Sequence, residues 1–104
     1  MTKDLDHAQQ VVGEWGIATF PQGSRTYAQW QAALLANLRE EVSELEAACA
    51  MHHVYGEPST IAEAAADCLL LLLQLAHREG FSLFDASAAK YPHQIAGDEL
   101  GEVA

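Results

Sequence analysis

The chain has 104 residues, half of them apolar, and fifteen acidic and five basic side chains give it a formal net charge of −10. This length suits one domain and is too short for two independent cores. An acidic surface repels phosphate backbones, which argues against direct binding of nucleic acid. A small anion can still bind if a divalent cation lies between it and the acidic groups.

The composition favours helices. Ala and Leu dominate, prolines number only three, and β-branched residues are scarce after position 30, which predicts an all-α fold. Because so small a domain gains burial by association, we expect a homodimer or a homotetramer.

Several further features indicate a cytoplasmic protein. Cys49 and Cys68 lie in apolar helical stretches and form no CxxC pair, so we expect both to be reduced and buried. The polar start Met1–Asp6 does not resemble a signal peptide. The Leu69–Leu73 run is too short to span a bilayer, so no membrane contact is expected.

Hydrophobic spacing and capping residues predict four helices in a four-helix-bundle-like domain over residues 1–94, followed by an acidic tail at 95–104. Gly13 and Gly16 weaken the first helix. Gly80 is expected to end the third helix, and Ser82 to cap the fourth, which Pro92 stops. In chain order the predicted helices span Leu5–Thr19, Thr26–Val54, the Ser59–Thr60 cap to Glu79, and Leu83–Tyr91.

The second and third helices differ in pattern. The long second helix carries apolar residues at three- and four-residue spacing, which predicts one apolar stripe; they are Leu34, Leu38, Val42, Leu45 and Cys49. The third helix is apolar on every side from Cys68 to Leu73, as expected for a central, buried helix.

Acidic residues recur on these same two helices. At about 100° per residue, Glu40, Glu41 and Glu44 fall within an arc of roughly 100°, and Asn37 points the same way. On the third helix Glu63 and Asp67 are four residues apart and share a face. Two antiparallel helices would therefore bring four carboxylates, Glu41, Glu44, Glu63 and Asp67, to one place.

Carboxylates held so close repel one another unless a cation neutralises them. Mg²⁺ and Mn²⁺ prefer oxygen ligands and keep positions for water and substrate phosphates. The alternative is a solvated acidic face, yet Arg39 is the only cation near these glutamates. Asp67 also adjoins Cys68 and five leucines, an unusual place for an unpaired carboxylate. These residues favour a metal site.

Three runs of sequence carry a family resemblance. They are Leu38-Arg-Glu-Glu-Val-Ser-Glu-Leu45, Asp67-Cys-Leu-Leu-Leu-Leu-Leu73 and Gly80-Phe-Ser-Leu-Phe-Asp-Ala-Ser-Ala-Ala-Lys90. Over about residues 8 to 91 the chain resembles the MazG-like all-α nucleotide pyrophosphohydrolases, in particular short bacterial and phage members that act on dATP or dGTP. The resemblance implies a Mg²⁺- or Mn²⁺-dependent enzyme that cleaves nucleoside triphosphates to monophosphate and pyrophosphate.

The same resemblance implies roles for individual residues. Glu41, Glu44 and Asp67 match the family's metal ligands, and Glu40 matches the other glutamate of its first motif. Lys90 matches a basic residue that faces substrate phosphates.

The chain also departs from the family pattern at two places. Ala64 stands where the family has a metal-binding glutamate, which leaves Glu63 as the substitute ligand. Downstream of Lys90, His93 and Gln94 stand in place of the expected Asn and Arg.

The expected chemistry is attack of water on a phosphorus, with Glu40 or Glu41 accepting a hydrogen bond from that water. Asn37 and Lys90 are expected to contact substrate, the first at sugar or base and the second at phosphate.

Three aromatic side chains are candidates for base stacking, but in so small a domain we expect them to lie in the core. They are Trp15, Phe20 and Trp30.

Other functions stay open at this stage. The substrate can instead be dCTP, dUTP or a molecule similar to phosphoribosyl-ATP. A non-catalytic helical oligomer that lost full metal binding through Ala64, or an acidic interaction module, also fits the composition. The absence of any Glu-x-x-His sequence argues against a di-iron bundle.

Overall fold

The computed structural model describes residues 2–56 and 58–95, so the expected tail after Ile95 lies outside the described residues. Within them the chain forms helices and no strands, which confirms the all-α prediction. Five helices follow one another: α1 (Thr2–Thr19), α2 (Tyr27–Tyr55), α3 (Pro58–Glu79), α4 (Leu83–Lys90) and α5 (Pro92–Ile95).

Both ends of α2 follow local rules. Thr26 begins the helix with a capping box, in which its hydroxyl accepts a hydrogen bond from the Gln29 backbone N–H at 3.1 Å. The Gln29 side chain in turn accepts one from the Thr26 N–H at 2.9 Å. Gly56 ends the helix with a φ of 70°, a conformation that costs glycine little. The predicted bounds of this helix are therefore confirmed to within one residue.

For α3 and α4, the predictions are correct at some helix ends and wrong at another. α3 begins at Pro58, so the expected cap at Ser59 or Thr60 is wrong; proline suits a first helical position because its φ is fixed there. Gly80 ends α3 with a φ of 82°, as predicted. Ser82 caps α4 as predicted, by accepting a hydrogen bond from the Asp85 N–H at 3.0 Å. Pro92 ends α4 but also begins the single turn of α5.

α3 lies in the middle of the fold, as predicted. It packs against α2 along much of its length, against α1 on a second side, and against the start of α4 at its end, while α4 also contacts α1 and α5. α3 is nevertheless not enclosed on every side, because Leu69 and Leu72 are 43% and 36% exposed.

The predicted apolar stripe of α2 is likewise only partly covered by the rest of the chain. Leu34 is buried, whereas Val42 is 45% exposed and Cys49 is also exposed. Spacings of three and four residues make a broad stripe, and α3 covers only one edge of it. The expected burial of Cys49 is therefore wrong, and Cys68 is half-buried; both are free thiols.

One described segment, Thr60–Glu79, is long and apolar enough to cross a membrane by length and composition alone, with a mean hydropathy of 1.4. Core helices of soluble proteins meet the same criteria, so this feature assigns no location. Only 22% of its most apolar stretch is buried within the chain.

Two glycines set the contact between α1 and α3. A Cβ atom at Gly13 would lie 2.0 Å from Cγ and 2.4 Å from Cβ of His77, and one at Gly16 would lie 2.7 Å from the Gln74 side-chain oxygen. The glycines that weaken α1 by propensity therefore allow its close approach to α3.

We expect Gly13→Ala to destabilise the fold by about 1–3 kcal/mol, the usual cost of overpacking. The clash outweighs the gain in helix propensity of about 1 kcal/mol, because rotation of the His77 side chain does not move its Cβ. Urea unfolding followed by circular dichroism measures the effect, with the exposed α1 substitution Glu14→Ala as a control. An increase in the free energy of unfolding for Gly13→Ala would contradict the close contact.

Candidate metal centre

Carboxylates from α2 and α3 lie close together near the middle of the contact between the two helices. Glu41 and Glu44 are one turn apart on α2, and Asp67 faces them from α3. One oxygen from each of the three lies within 4.8 Å of the others. The sequence-based expectation that α2 and α3 bring these carboxylates together is thus confirmed for Glu41, Glu44 and Asp67.

Glu41 is the innermost of the three. Its side chain is half-buried, and its Oε1 atom is shielded from solvent without a hydrogen-bond partner. Desolvation raises the pKa of Glu41 above its ordinary value, and the negative charges of Glu44, Asp67 and Glu40 raise it further. The ionised form of Glu41 is therefore disfavoured by the folded chain on its own.

This donor set fits a hard divalent cation. Three carboxylates supply oxygen ligands and negative charge, which Mg²⁺ and Mn²⁺ prefer, and Glu44 and Asp67 remain exposed to water. A cation here would give Oε1 of Glu41 the partner that it lacks within the described residues. Acidic groups are common on surfaces, so the unpartnered oxygen is the feature that distinguishes this cluster.

The other proposed acidic residues lie farther out. Glu63 is outside the group of three, but it lines an adjoining cleft together with Glu44 and Asp67. Ala64 is buried against α2 in the same cleft, beside Ala48.

Two more residues named from the sequence lie outside this adjoining cleft and also outside a larger cleft that Glu41 and Asp67 line. Glu40 is exposed beside them and influences Glu41 through its charge. Lys90 is exposed on α4 with its Nζ 5.5 Å from the Tyr91 ring centroid, and it lines neither acidic cleft within one chain.

A larger cleft of about 510 Å³ extends from the acidic group towards the start of α2, a volume within the usual range for small-molecule sites. Asn37 lines its middle, one turn from Glu41, as the sequence predicted. Its walls are Trp15, Phe20, Arg25, Trp30, Ala33, Leu34, Asn37, Glu41, Asp67, Leu70, Leu71 and Gln74.

Aromatic side chains form the end of this cleft opposite the carboxylates. Trp15 and Phe20 make an edge-to-face pair with ring centroids 5.6 Å apart, and they are 46% and 57% exposed. The expectation that they lie in the core is wrong for these two residues, whereas Trp30 is buried as expected. Arg25 adds a positive charge to this end.

Arg78 holds the aromatic end in place. Its guanidinium donates hydrogen bonds to the backbone oxygens of Gly16 at 3.3 Å and Phe20 at 3.0 Å, which ties the end of α1 to α3. The same group lies 4.7 Å from the centroid of the Trp30 ring, within the range of a cation–π contact.

Sequence reasoning missed Arg78 and Arg25. The basic residue in the last turn of α3 gave only a general signal, the preference of cations for helix ends.

Comparison of the chain with protein-family models, with curated proteins and with solved structures finds no match. The function is therefore inferred from the geometry of the cleft and from the residues that line it.

In metal-free buffer we expect Glu41→Gln to be more stable than the wild type at pH 7.5. Because the folded-state pKa of Glu41 is raised, its ionisation opposes folding above that pKa. The penalty fades as the pH falls through the folded pKa towards the unfolded value. Thermal unfolding in EDTA at several pH values tests this, with Glu14→Gln as the charge-matched control. A difference that stays constant from pH 7.5 down to about pH 4, near the ordinary pKa of a glutamate, would contradict the shift.

Proposed function

We propose that this chain is a divalent-metal-dependent nucleotide pyrophosphohydrolase, which cleaves nucleoside triphosphates to monophosphate and pyrophosphate. The observation that carries the proposal is a single cleft with Glu41 and Asp67 at one end and exposed aromatic rings at the other. Glu44, from the adjoining cleft, completes the carboxylate group at the first end. Such a cleft has a place for a cation-bound phosphate chain and a place for a planar base.

Glu41, Glu44 and Asp67 are the residues that would hold Mg²⁺ or Mn²⁺. When bound, the cation supplies charge neutralisation for the phosphates and lowers the pKa of bound water. Glu63 lines the adjoining cleft with Glu44 and Asp67. It would act as the fourth metal ligand, because this chain has Ala64 where the family has a metal-binding glutamate.

The proposed reaction breaks one phosphoanhydride bond. A water oxygen bonds to the α-phosphorus, the bond from that phosphorus to the α–β bridging oxygen breaks, and pyrophosphate leaves with the electron pair. Glu41, or Glu40 beside it, accepts the proton from water. The protein contributes mainly by holding the water and the phosphates in line.

The remaining lining residues position the nucleoside. Asn37 lies between the two ends of the cleft and offers an amide to the sugar or base. Trp15 and Phe20 present exposed ring surface for stacking. Purine deoxynucleotides are the substrates that the sequence resemblance implies; dCTP, dUTP or a molecule similar to phosphoribosyl-ATP are the alternatives.

The first test is pyrophosphate release from eight nucleoside and deoxynucleoside triphosphates with Mg²⁺, Mn²⁺ or EDTA. We expect metal-dependent release, and Asp67→Asn to lower it by more than about 100-fold, because loss of a ligand exceeds the usual effect of losing an outer partner. Titration with Mn²⁺ in the absence of nucleotide, monitored by electron paramagnetic resonance, should show that Asp67→Asn also binds the metal more weakly than the wild type.

Asp4→Asn is the matched control, since Asp4 is exposed on α1 and lines neither acidic cleft. Turnover retained by a folded Asp67→Asn protein would refute the proposed site. Mn²⁺ binding without release from any of the eight nucleotides would instead favour a metal-binding, non-catalytic helical protein, the alternative suggested by Ala64.

A second prediction concerns the aromatic end. We expect Phe20→Ala to raise KM for the preferred nucleotide by about 5- to 150-fold, as the loss of a stacking contact of about 1–3 kcal/mol implies. Because Phe20 is largely exposed, stability should change little. Phe81→Ala removes an exposed phenylalanine outside this cleft and should leave KM unchanged; equal effects of the two substitutions would refute base stacking at Phe20.

A further inference from the structure

One buried polar side chain of the larger cleft has no part in the proposed reaction. Gln74 lines this cleft, yet it is only 8% exposed. Within the part of the chain that the structure describes, its amide makes no hydrogen bond. Burial of an amide without a partner is unfavourable, so a ligand that supplies the missing hydrogen bond would bind more tightly for it.

Gln74 lies at the aromatic end of the cleft. On α3 it follows Asp67 by seven residues, which places it about 10 Å along the helix axis from the carboxylates. Its side chain packs against Gly16, the residue after Trp15 on α1. A nucleotide whose phosphates lie at the carboxylates would therefore present its base to Gln74.

Gly16 determines which atom of the amide is available to a ligand. A Cβ atom at Gly16 would lie 2.7 Å from Oε1 and 3.0 Å from Cδ of Gln74, so the oxygen side of the amide faces α1. The Nε2 group is then left to donate a hydrogen bond into the cleft. Arg25 lines the same end, and a guanidinium only donates. These two side chains therefore offer donors to a base.

An end of this kind favours a base whose edge carries acceptors alone. In guanine, N7 and O6 are adjacent acceptors, whereas adenine presents N7 beside its N6 amino group, which is a donor. Pyrimidines offer one acceptor or none on the corresponding edge. Adenine at this end would place its amino group against another donor and leave hydrogen bonds unmade.

We propose that Gln74 is a specificity-determining residue of the cleft, and that its amide N–H and the Arg25 guanidinium donate to O6 and N7 of guanine. The inference rests on the proposed function and narrows its substrate to a guanine nucleotide in preference to an adenine nucleotide. Gly16 is a positioning residue in this arrangement, because its lack of a side chain leaves the space in which the amide is held.

Binding of α,β-imido analogues tests the specificity apart from turnover, because these nucleotides resist cleavage between the α- and β-phosphates. In isothermal titration with Mg²⁺, we expect the wild type to bind the dGTP analogue at least about tenfold more tightly than the dATP analogue. Gln74→Met keeps a similar volume but removes the amide. It should weaken binding of the dGTP analogue by about tenfold and change binding of the dATP analogue little.

Gln10→Met is the matched control, since Gln10 is an exposed glutamine of α1 outside this cleft. It should leave both dissociation constants unchanged. Equal dissociation constants for the two analogues in the wild type would overturn the proposal. A Gln74→Met protein that loses affinity for both analogues equally would also overturn it, because a merely structural role does not distinguish bases.

Gly16→Ala tests the role of Gln74 even if Gln74→Met does not fold. The added Cβ meets the flexible end of the Gln74 side chain and no backbone atom among its nearest neighbours, so the amide can move aside while the fold remains. We expect the preference for the dGTP analogue to fall by about tenfold, as in Gln74→Met. A preference that survives both substitutions would refute the role of Gln74.

The binding data separate this proposal from the proposed function. Pyrophosphate release without any preference in binding would refute the role of Gln74 and leave the proposed function standing. Preferential binding of the dGTP analogue that depends on Gln74, without release from any triphosphate, would support the role of Gln74 and refute the hydrolysis. Failure of both analogues to bind would contradict both proposals.

Discussion

The antiparallel contact between α2 and α3 determines the position of the three converging carboxylates. Ala48 and Ala64 are buried where the helices pass each other, and their small side chains allow close approach of the two backbones. That contact fixes the relative register of the helices, so Asp67 falls opposite Glu41 and Glu44. It also leaves one flank for a cleft and the opposite flank as an uncovered apolar face.

This arrangement concentrates electrostatic strain in one place. The sequence carries only five Lys and Arg residues, and among the described residues none of them offsets the charges around Glu41. Glu41 is therefore surrounded by like charge, and burial also desolvates its carboxylate. The helices tolerate this because packing on either side of the cluster holds them together. A bound cation would turn the same repulsion into attraction, which links stability of the helix pair to occupancy of the site.

The parts predictable from the sequence are those decided locally. Thr26, Gly56, Gly80 and Ser82 set helix ends through their own hydrogen bonds or backbone freedom. Helical spacing likewise predicted that carboxylates on α2 and α3 share a face.

Side-chain exposure depends on how whole helices are placed, and the sequence predicted it less well. Trp15, Phe20 and Cys49 are apolar or weakly polar residues that the fold leaves uncovered. The role of Arg78 depends on the end of α1 reaching the last turn of α3. No local sequence pattern predicts this contact between α1 and α3.

The continuous helix between Trp30 and Glu41 gives the cleft a fixed length. Eleven residues at 1.5 Å each separate the aromatic end from the carboxylate end by about 17 Å along α2. A nucleoside without phosphates or a free pyrophosphate occupies one end only, whereas a ligand must extend across three helical turns to engage both. Under the proposed function, the cleft would therefore select ligands by length before it distinguishes one base from another.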